Sequence, residues 1–322
     1  MTQLKAVVLL LLLAVGIASW GLTCAAARYD EVTAGFLTLE TRRFERLTLV
    51  TLGTGGAHED HNRRGPSTAV AVLEDVWLVD AGRGVAEGLR AARIPPSQPD
   101  VVALTSLLAE NTVGLDDLLS ASWLDGRRTR IRLLGPQGTA RLARAVEAAL
   151  APGLEAWARA GGEPLGEPGF DVEEIADGWS LERGELQVRV GALPGGPAQA
   201  LAYRFDWRGR SAVVSSAGWA DEALARFARG ANALLHEAAY IPTPQEAREL
   251  GIEEDPEKLR RDAALHTTLS DVGKLAMRAG VEKLVLVRLR PPPVFALQVT
   301  TLVDDSFDGE VLVPSDGDEI TP

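Results

Sequence analysis

Leu47-Thr-Leu-Val-Thr-Leu-Gly-Thr-Gly-Gly56 is an apolar, β-branched run brought to a stop by glycines, and it reads as a strand that ends in a tight turn. A polar loop, Ala57 to Pro66, follows it. Two more strands come next, Thr68 to Leu73 and Val76 to Asp80, joined at Glu74-Asp75 as a hairpin. Apolar residues then take up helical spacing over Val85 to Ala92. Beyond Pro95-Pro96 strand and helix alternate: Val101 to Leu104, Val113 to Trp123, Ile131 to Leu134, Gly138 to Leu150. Such alternation with short connections is the signature of an α/β fold.

Residues Ala151 to Gly169, rich in Gly, Pro and Glu, read as an excursion from this rhythm. A second block of strands spans Phe170 to Ile175, Leu186 to Ala192, Ala200 to Trp207 and Ser211 to Ser215, before the α/β rhythm returns through Leu284 to Val287. Two similar halves imply two stacked mixed sheets with helices on the outer faces, a four-layer αβ/βα sandwich, although no repeat is visible residue by residue.

The 322 residues are 46% apolar and 24% charged, ordinary for a globular protein. The formal charge of −12 sets up a field that repels phosphate backbones. No nucleic-acid partner is therefore expected; the densest basic patch, Asp125-Gly-Arg-Arg-Thr-Arg-Ile131, reads as a solvated rim. Cys24 is the only cysteine, so neither an intrachain disulfide nor a thiolate metal cage is available.

Near the amino terminus, residues 6–27 carry no charge, follow Lys5 and close on Cys24-Ala-Ala-Ala27. A basic start, an apolar stretch and an Ala-x-Ala ending make a secretory leader cleaved after Ala27. The same uncharged segment is also long enough for an uncleaved membrane anchor, and both readings stand. Gly21-Leu-Thr ahead of Cys24 does not supply a lipoprotein pattern. Either way the chain is expected to be exported, secreted or anchored at the periplasmic or extracellular face. Residues 28–46 then read as a linker, 47–316 as the domain and 317–322 as a tail.

Six motifs fall in register along this frame: Leu52-Gly-Thr-Gly55, Arg64-Gly-Pro-Ser67, Leu78-Val-Asp-Ala-Gly82, Gly135-Pro-Gln-Gly-Thr139, Leu234-Leu-His-Glu-Ala238 and Asp308-Gly-Glu-Val-Leu-Val313. In order and spacing they resemble the metallo-β-lactamase-fold hydrolases, most closely the ribonuclease Z and arylsulfatase-like branch. That resemblance implies two zinc ions held by five His and two Asp at the strand ends. Bound metal lowers the pKa of a water from about 15.7 to about 7 and so supplies hydroxide at neutral pH.

Here the ligand positions implied by the resemblance have changed. The Thr-His-x-His-x-Asp-His motif is matched by Thr105-Ser-Leu-Leu-Ala-Glu-Asn111, which puts Ser106, Leu108, Glu110 and Asn111 at the four ligand sites. The next His falls in Leu193-Pro-Gly-Gly-Pro197, at Gly195. The bridging Asp becomes Ala217 in Ser215-Ser-Ala-Gly218, and the last His becomes Arg288 in Val287-Arg-Leu-Arg-Pro291. Only Glu110 keeps a charged oxygen donor. A guanidinium at Arg288 would repel a cation and would be able to fill the vacated space. The expectation is a chain without zinc or other cofactor: a pseudo-hydrolase that binds an unknown ligand or protein in the former active-site cleft.

Some polar groups remain. Asp80 is expected to brace a turn, and His236 to be structural. Glu237 and His266 match motifs that in ribonuclease Z assist proton transfer, so two roles stay open for them: residual acid–base work on an ester or phosphodiester, or a hydrogen-bonded pair tying two loops. A single weak metal held by Glu110, His266 and either His58 or His61 is a further alternative.

Overall fold

The computed structural model describes residues 12–13, 15–26, 28–29, 39–57, 60–162, 164, 166–194, 199–215, 218, 222–249, 251, 255–263, 265–293, 296–304 and 306–322. The chain divides into two units, Met1–Glu40 and Thr41–Pro322. In the first, residues 15–26 are helical, and the apolar side chains of Leu12, Leu13, Val15, Ile17, Trp20 and Leu22 are exposed. Among the described residues no helix is long and apolar enough to cross a membrane.

The second unit is built on two seven-stranded sheets. Its first half runs β1 (Phe44–Gly53), β2 (Ser67–Leu73), β3 (Asp75–Val79), α1 (Val85–Ala91), β4 (Val101–Ala103), α2 (Ala109–Thr112), α3 (Leu115–Leu124), β5 (Ile131–Gly135), α4 (Thr139–Gly161) and β6 (Phe170–Glu174). The second half runs β7 (Ser180–Arg183), β8 (Leu186–Leu193), β9 (Ala200–Trp207), β10 (Arg210–Val214), α5 (Glu222–Phe227), β11 (Ala233–Ala239), α6 (Pro244–Glu249), α7 (Pro256–Ala263), α8 (Leu269–Ala279), β12 (Lys283–Arg290), α9 (Ala296–Asp304) and β13 (Glu310–Leu312), with β14 (Glu319–Ile320) closing the chain.

Both sheets are mixed in the same way. In the first, β1, β2 and β3 pair antiparallel, and β3 to β6 continue in parallel. In the second, β7 to β10 are antiparallel and β10 to β13 parallel. Parallel neighbours need a crossover, and helices supply it on the outer face of each sheet. The strands are consequently buried on both sides, which is why they read as nearly unbroken apolar runs. Side-chain alternation then sorts them into layers. Leu47 and Leu49 of β1 point between the sheets with Trp77, Tyr203, Phe205, Leu235 and Val285. Val50 and Leu52 turn outward against α1 and α3, and Leu234, Leu284 and Leu286 pack on α5, α8 and α9. Trp77 meets Phe205 edge-to-face across the central layer, with centroids 5.7 Å apart. The architecture is the four-layer αβ/βα sandwich expected from the sequence.

Three sequence-based boundaries need correction. The folded unit takes in residues from Thr41, ahead of the Leu47 start, and β1 begins at Phe44. Residues 317–322 are no loose tail, since β14 pairs Ile320 with Leu49 and extends the first sheet. The helix expected to end at Leu150 runs on through Pro152 to Gly161. Its extension is held by packing, with Leu154 and Ala158 buried against Trp123, which outweighs the hydrogen bond that proline removes.

At the carboxyl ends of β1 and β3 the backbones come very close. A Cβ on Gly53 would lie 1.9 Å from the Gly65 carbonyl oxygen, and one on Gly114 would lie 2.1 Å from that of Gly82. Only glycine permits these approaches. They bring the loops after β1, β3 and β4 together over one end of the sandwich.

Candidate functional site

Asp80 leaves β3 with φ at 60°, and Arg288 sits in β12 with φ at 54°. Both are held in the left-handed region, which costs a non-glycine residue of order 1–3 kcal/mol. The two side chains meet there. The Asp80 Oδ2 accepts from Arg288 Nη2 at 2.6 Å and from Thr105 Oγ1 at 2.7 Å, while Oδ1 accepts from the Thr105 backbone N–H at 2.8 Å. Arg288 Nη1 donates to Asn111 Oδ1 at 2.8 Å. The Asn111 amide nitrogen donates to Thr105 Oγ1 at 3.0 Å and to Ser106 Oγ at 2.8 Å. Arginine offers donors only, which fixes the amide of Asn111 in this orientation. Asp80 is 1% exposed and Arg288 8%, with Thr105, Ser106 and Asn111 fully buried. Burial pushes the Asp80 carboxyl above its usual range, against the pull of the Arg288 guanidinium and the two Thr105 hydrogen bonds.

Backbone contacts stitch the two sheets at the same end. The Arg288 N–H donates to the Thr54 carbonyl at 2.7 Å, and the Leu201 N–H to that of Thr105 at 2.7 Å. The Tyr203 hydroxyl donates to the Leu104 carbonyl at 2.9 Å. Burial holds its phenol well above the ordinary value, and the Asp80 charge adds to the shift.

A second cluster lies beside the first. Glu237, in β11, is 5% exposed. Its Oε1 accepts from the Gly218 N–H at 2.8 Å and lies 3.3 Å from His266 Nδ1. On the other side of the ring, Arg290 Nη1 is 3.2 Å from His266 Nε2. A neutral ring satisfies both neighbours only as the Nδ1–H tautomer, donating to Glu237 and accepting from Arg290. His236 is fully buried, its ring set between the hydroxyls of Ser215 and Thr267. Glu110, Glu237, His266, Arg288 and Arg290, together with Asp60 and Arg63, line one cavity of about 80 Å³.

The structure therefore brings together Ser106, Asn111 and Arg288 in one network around Asp80, and Glu110, Glu237 and His266 around one cavity. Leu108 is half-buried and precedes α2. Gly195, Ala217 and His58 lie outside the described residues. His61 is exposed, hydrogen-bonded to Asn62, and does not line the cavity. Among the described residues no three His, Cys, Asp or Glu side chains converge as a metal-holding group. Sequence reasoning passed over Thr105 and Arg290. Strand alternation does not mark Arg290, because the left-handed backbone at Arg288 and the register shift beside it break the period that would relate the two arginines.

No family model matches the chain. A ribonuclease Z from Mycobacterium sp. (strain KMS) is 30% identical over 246 residues, spanning 75% of this chain and 83% of that protein. The chain belongs to the ribonuclease Z family. A second ribonuclease Z, from Mycobacterium bovis (strain BCG), is 27% identical over 288 residues, covering 84% of this chain and 96% of the relative. Solved structures give the fold: the metallo-β-lactamase fold protein YhfI of Bacillus subtilis superposes with a TM-score of 0.66 at 16% identity, over 85% of this chain and 99% of its own. The human short-form tRNase Z gives 0.61 at 16% identity, over 85% and 99%. In this ribonuclease Z family member, the end of the sandwich where β3, β4 and β12 meet presents a buried guanidinium–carboxylate pair, and a guanidinium has no lone pair to give a cation.

Proposed function

We propose that this ribonuclease Z family chain has lost the zinc pair of its relatives and works as a noncatalytic binding module, with the cleft beside Arg288 as its ligand surface. The observation that carries the reading is the Arg288 guanidinium bound to Asp80 and Asn111 at 2.6 and 2.8 Å. Zinc is held by imidazole, thiolate and carboxylate ligands. The positions in question offer a hydroxyl on Ser106, an alkyl group on Leu108, an amide on Asn111 and a fixed positive charge on Arg288, so the donor set does not suit two divalent cations. Asp80 is already neutralised by Arg288, and a cation brought there would have to displace it.

The relatives are hydrolases by name, and a second reading keeps residual hydrolysis of ester or phosphodiester bonds through Glu237 and His266, in favour of which stands their 3.3 Å contact at the cavity wall. Against it stands Arg290: with Nδ1–H given to Glu237 and Nε2 receiving from the guanidinium, the neutral ring holds no proton facing a leaving group. A single metal held by Glu110, His266 and either His58 or His61 has the cavity in its favour, though His61 lies outside the lining and His58 outside the described residues.

Export rests on residues 6–27, uncharged behind Lys5. The leader or anchor carries the domain out of the cytoplasm, away from RNA, and the charge of −12 disfavours nucleic acid as well. Turnover of a precursor tRNA, bis(p-nitrophenyl) phosphate and p-nitrophenyl acetate, with and without added zinc, tests the reading. No turnover above buffer is expected. Turnover abolished by both Glu237→Gln and His266→Ala would contradict it.

A further inference from the structure

The polar cavity shares part of its wall with another. Leu289, Arg290 and Pro292 line it and also line a second cavity of about 340 Å³. That volume is within the roughly 300–1,000 Å³ of small-molecule sites. The remaining wall of the second cavity is apolar: Tyr240, Leu269, Pro291, Pro293, Val299 and Leu302. Tyr240 is 39% exposed and Leu302 48%, so the apolar wall opens to solvent. The two cavities thus adjoin across Leu289, Arg290 and Pro292, one with a polar lining and one with an apolar lining, and Arg290 is the charged side chain that the two linings share.

We infer that the cleft binds a single-chain amphiphile with a carboxylate head, a fatty-acid-like anion, with the head on Arg290 and the chain along the wall from Tyr240 to Leu302. This rests on the reading that the cleft is a zinc-free binding site. A guanidinium carries five N–H donors in a fork that matches a carboxylate, and His266 Nε2 takes one of them. Glu237, one of the acids of the polar cavity, is already engaged by the Gly218 N–H and His266, and among the described residues no acid lines the apolar cavity. The charge of the whole chain, −12, discriminates against polyanions such as nucleic acid or polyphosphate. A ligand with one negative charge meets little of that penalty and draws its affinity from the apolar chain.

Calorimetric titration of the purified protein with hexanoate, octanoate and decanoate, each below its micelle concentration, tests the inference, with zinc content measured on the same samples. Saturable binding of one molecule is expected, tightening about fourfold per methylene, the equivalent of ~0.8 kcal/mol. Arg290→Gln is expected to weaken decanoate at least tenfold and leave decanol unchanged, Arg290→Lys to restore most of the loss, and the exposed-site change Leu302→Gln to weaken both ligands. Decyltrimethylammonium is expected to bind far more weakly than decanoate. Absence of saturable decanoate binding to folded protein, equal affinity for the cationic amphiphile, or no response to Arg290→Gln would overturn the inference while leaving the zinc-free reading intact. Two zinc equivalents in the samples would instead remove the reading beneath it.

Discussion

Arg288 brings its own positive charge to a buried carboxylate, and the two cannot be separated without leaving one of them unpaired in a desolvated site. Removing one partner of such a pair costs about 3–5 kcal/mol, whereas removing both charges costs far less. Arg288→Met is accordingly expected to destabilise the protein by ~3–5 kcal/mol in urea unfolding, and Asp80→Asn added to it to recover a measurable part, since Asn tolerates a positive φ and keeps acceptor and donor for Thr105. Additive losses in the double variant would show that the pair does not act as a unit. At this scale the sequence shows which residue types stand at the ligand positions but not what they do there. Arg288 reads as a misfit in a ligand motif. That it reaches Asp80, distant in the chain, depends on a left-handed backbone at both residues that no local pattern marks.

At the scale of elements, strands buried on both faces announce themselves by apolar runs, and most of the long ones were legible; β11, fully buried, was read only as a motif because His236 and Glu237 interrupt its apolar run. The short edge strands β7 and β13 and the terminal β14 were not, because a few half-exposed polar residues carry no alternation. Helix α4 was cut short in the reading because Pro152 is a breaker locally and only packing on Trp123 overrides it. The amino end of α4 carries a second consequence. The Glu174 carboxylate accepts from the backbone N–H groups of Ala140 and Gly138, and these bonds hold its pKa below the ordinary 4.5. A depressed carboxyl contributes stability that is fully present above about 4.5 and is lost as pH falls through the lowered value. Glu174→Gln is expected to flatten the acid limb of stability against pH, read by urea midpoints from neutral into acid. An unchanged acid limb would mean that the cap contributes nothing in solution. Thr268 begins α8 as a side-chain cap on the Asp271 N–H, and Thr268→Ala is expected to cost ~1 kcal/mol in the same assay.

For the whole molecule, the halved plan of mixed sheets was visible as two blocks of strands with helices between, but the division was misplaced by one strand, since β6, read as the start of the second block, pairs with β5 in the first sheet, and the seam that joins the halves was not visible. The carboxyl-terminal residues belong to that seam. Asp316 accepts from the Thr54 and Arg64 backbone N–H groups, the Gly317 N–H donates to the Thr51 carbonyl, and Ile320 is buried beside Leu49. Deleting residues 317–322 is therefore expected to lower stability by at least ~2 kcal/mol, from the buried isoleucine alone. A dispensable tail would leave the urea midpoint where it is. The six motifs that place the chain in its family fix the turns of the sandwich and not its chemistry, so fold and family were legible where function was not. That difference is physical: glycines such as Gly53 and Gly82 are required by backbone approach whatever stands in the site, whereas the site itself depends on a handful of side chains free to change.

The central claim, that the end of the sandwich around Asp80 and Arg288 no longer suits a zinc pair, is tested most directly by the zinc content of protein produced in zinc-supplemented medium and purified without chelator. The account predicts well under one equivalent per chain, unchanged in Glu110→Gln. Two equivalents per chain, with zinc located by anomalous scattering beside Asp80, would contradict it.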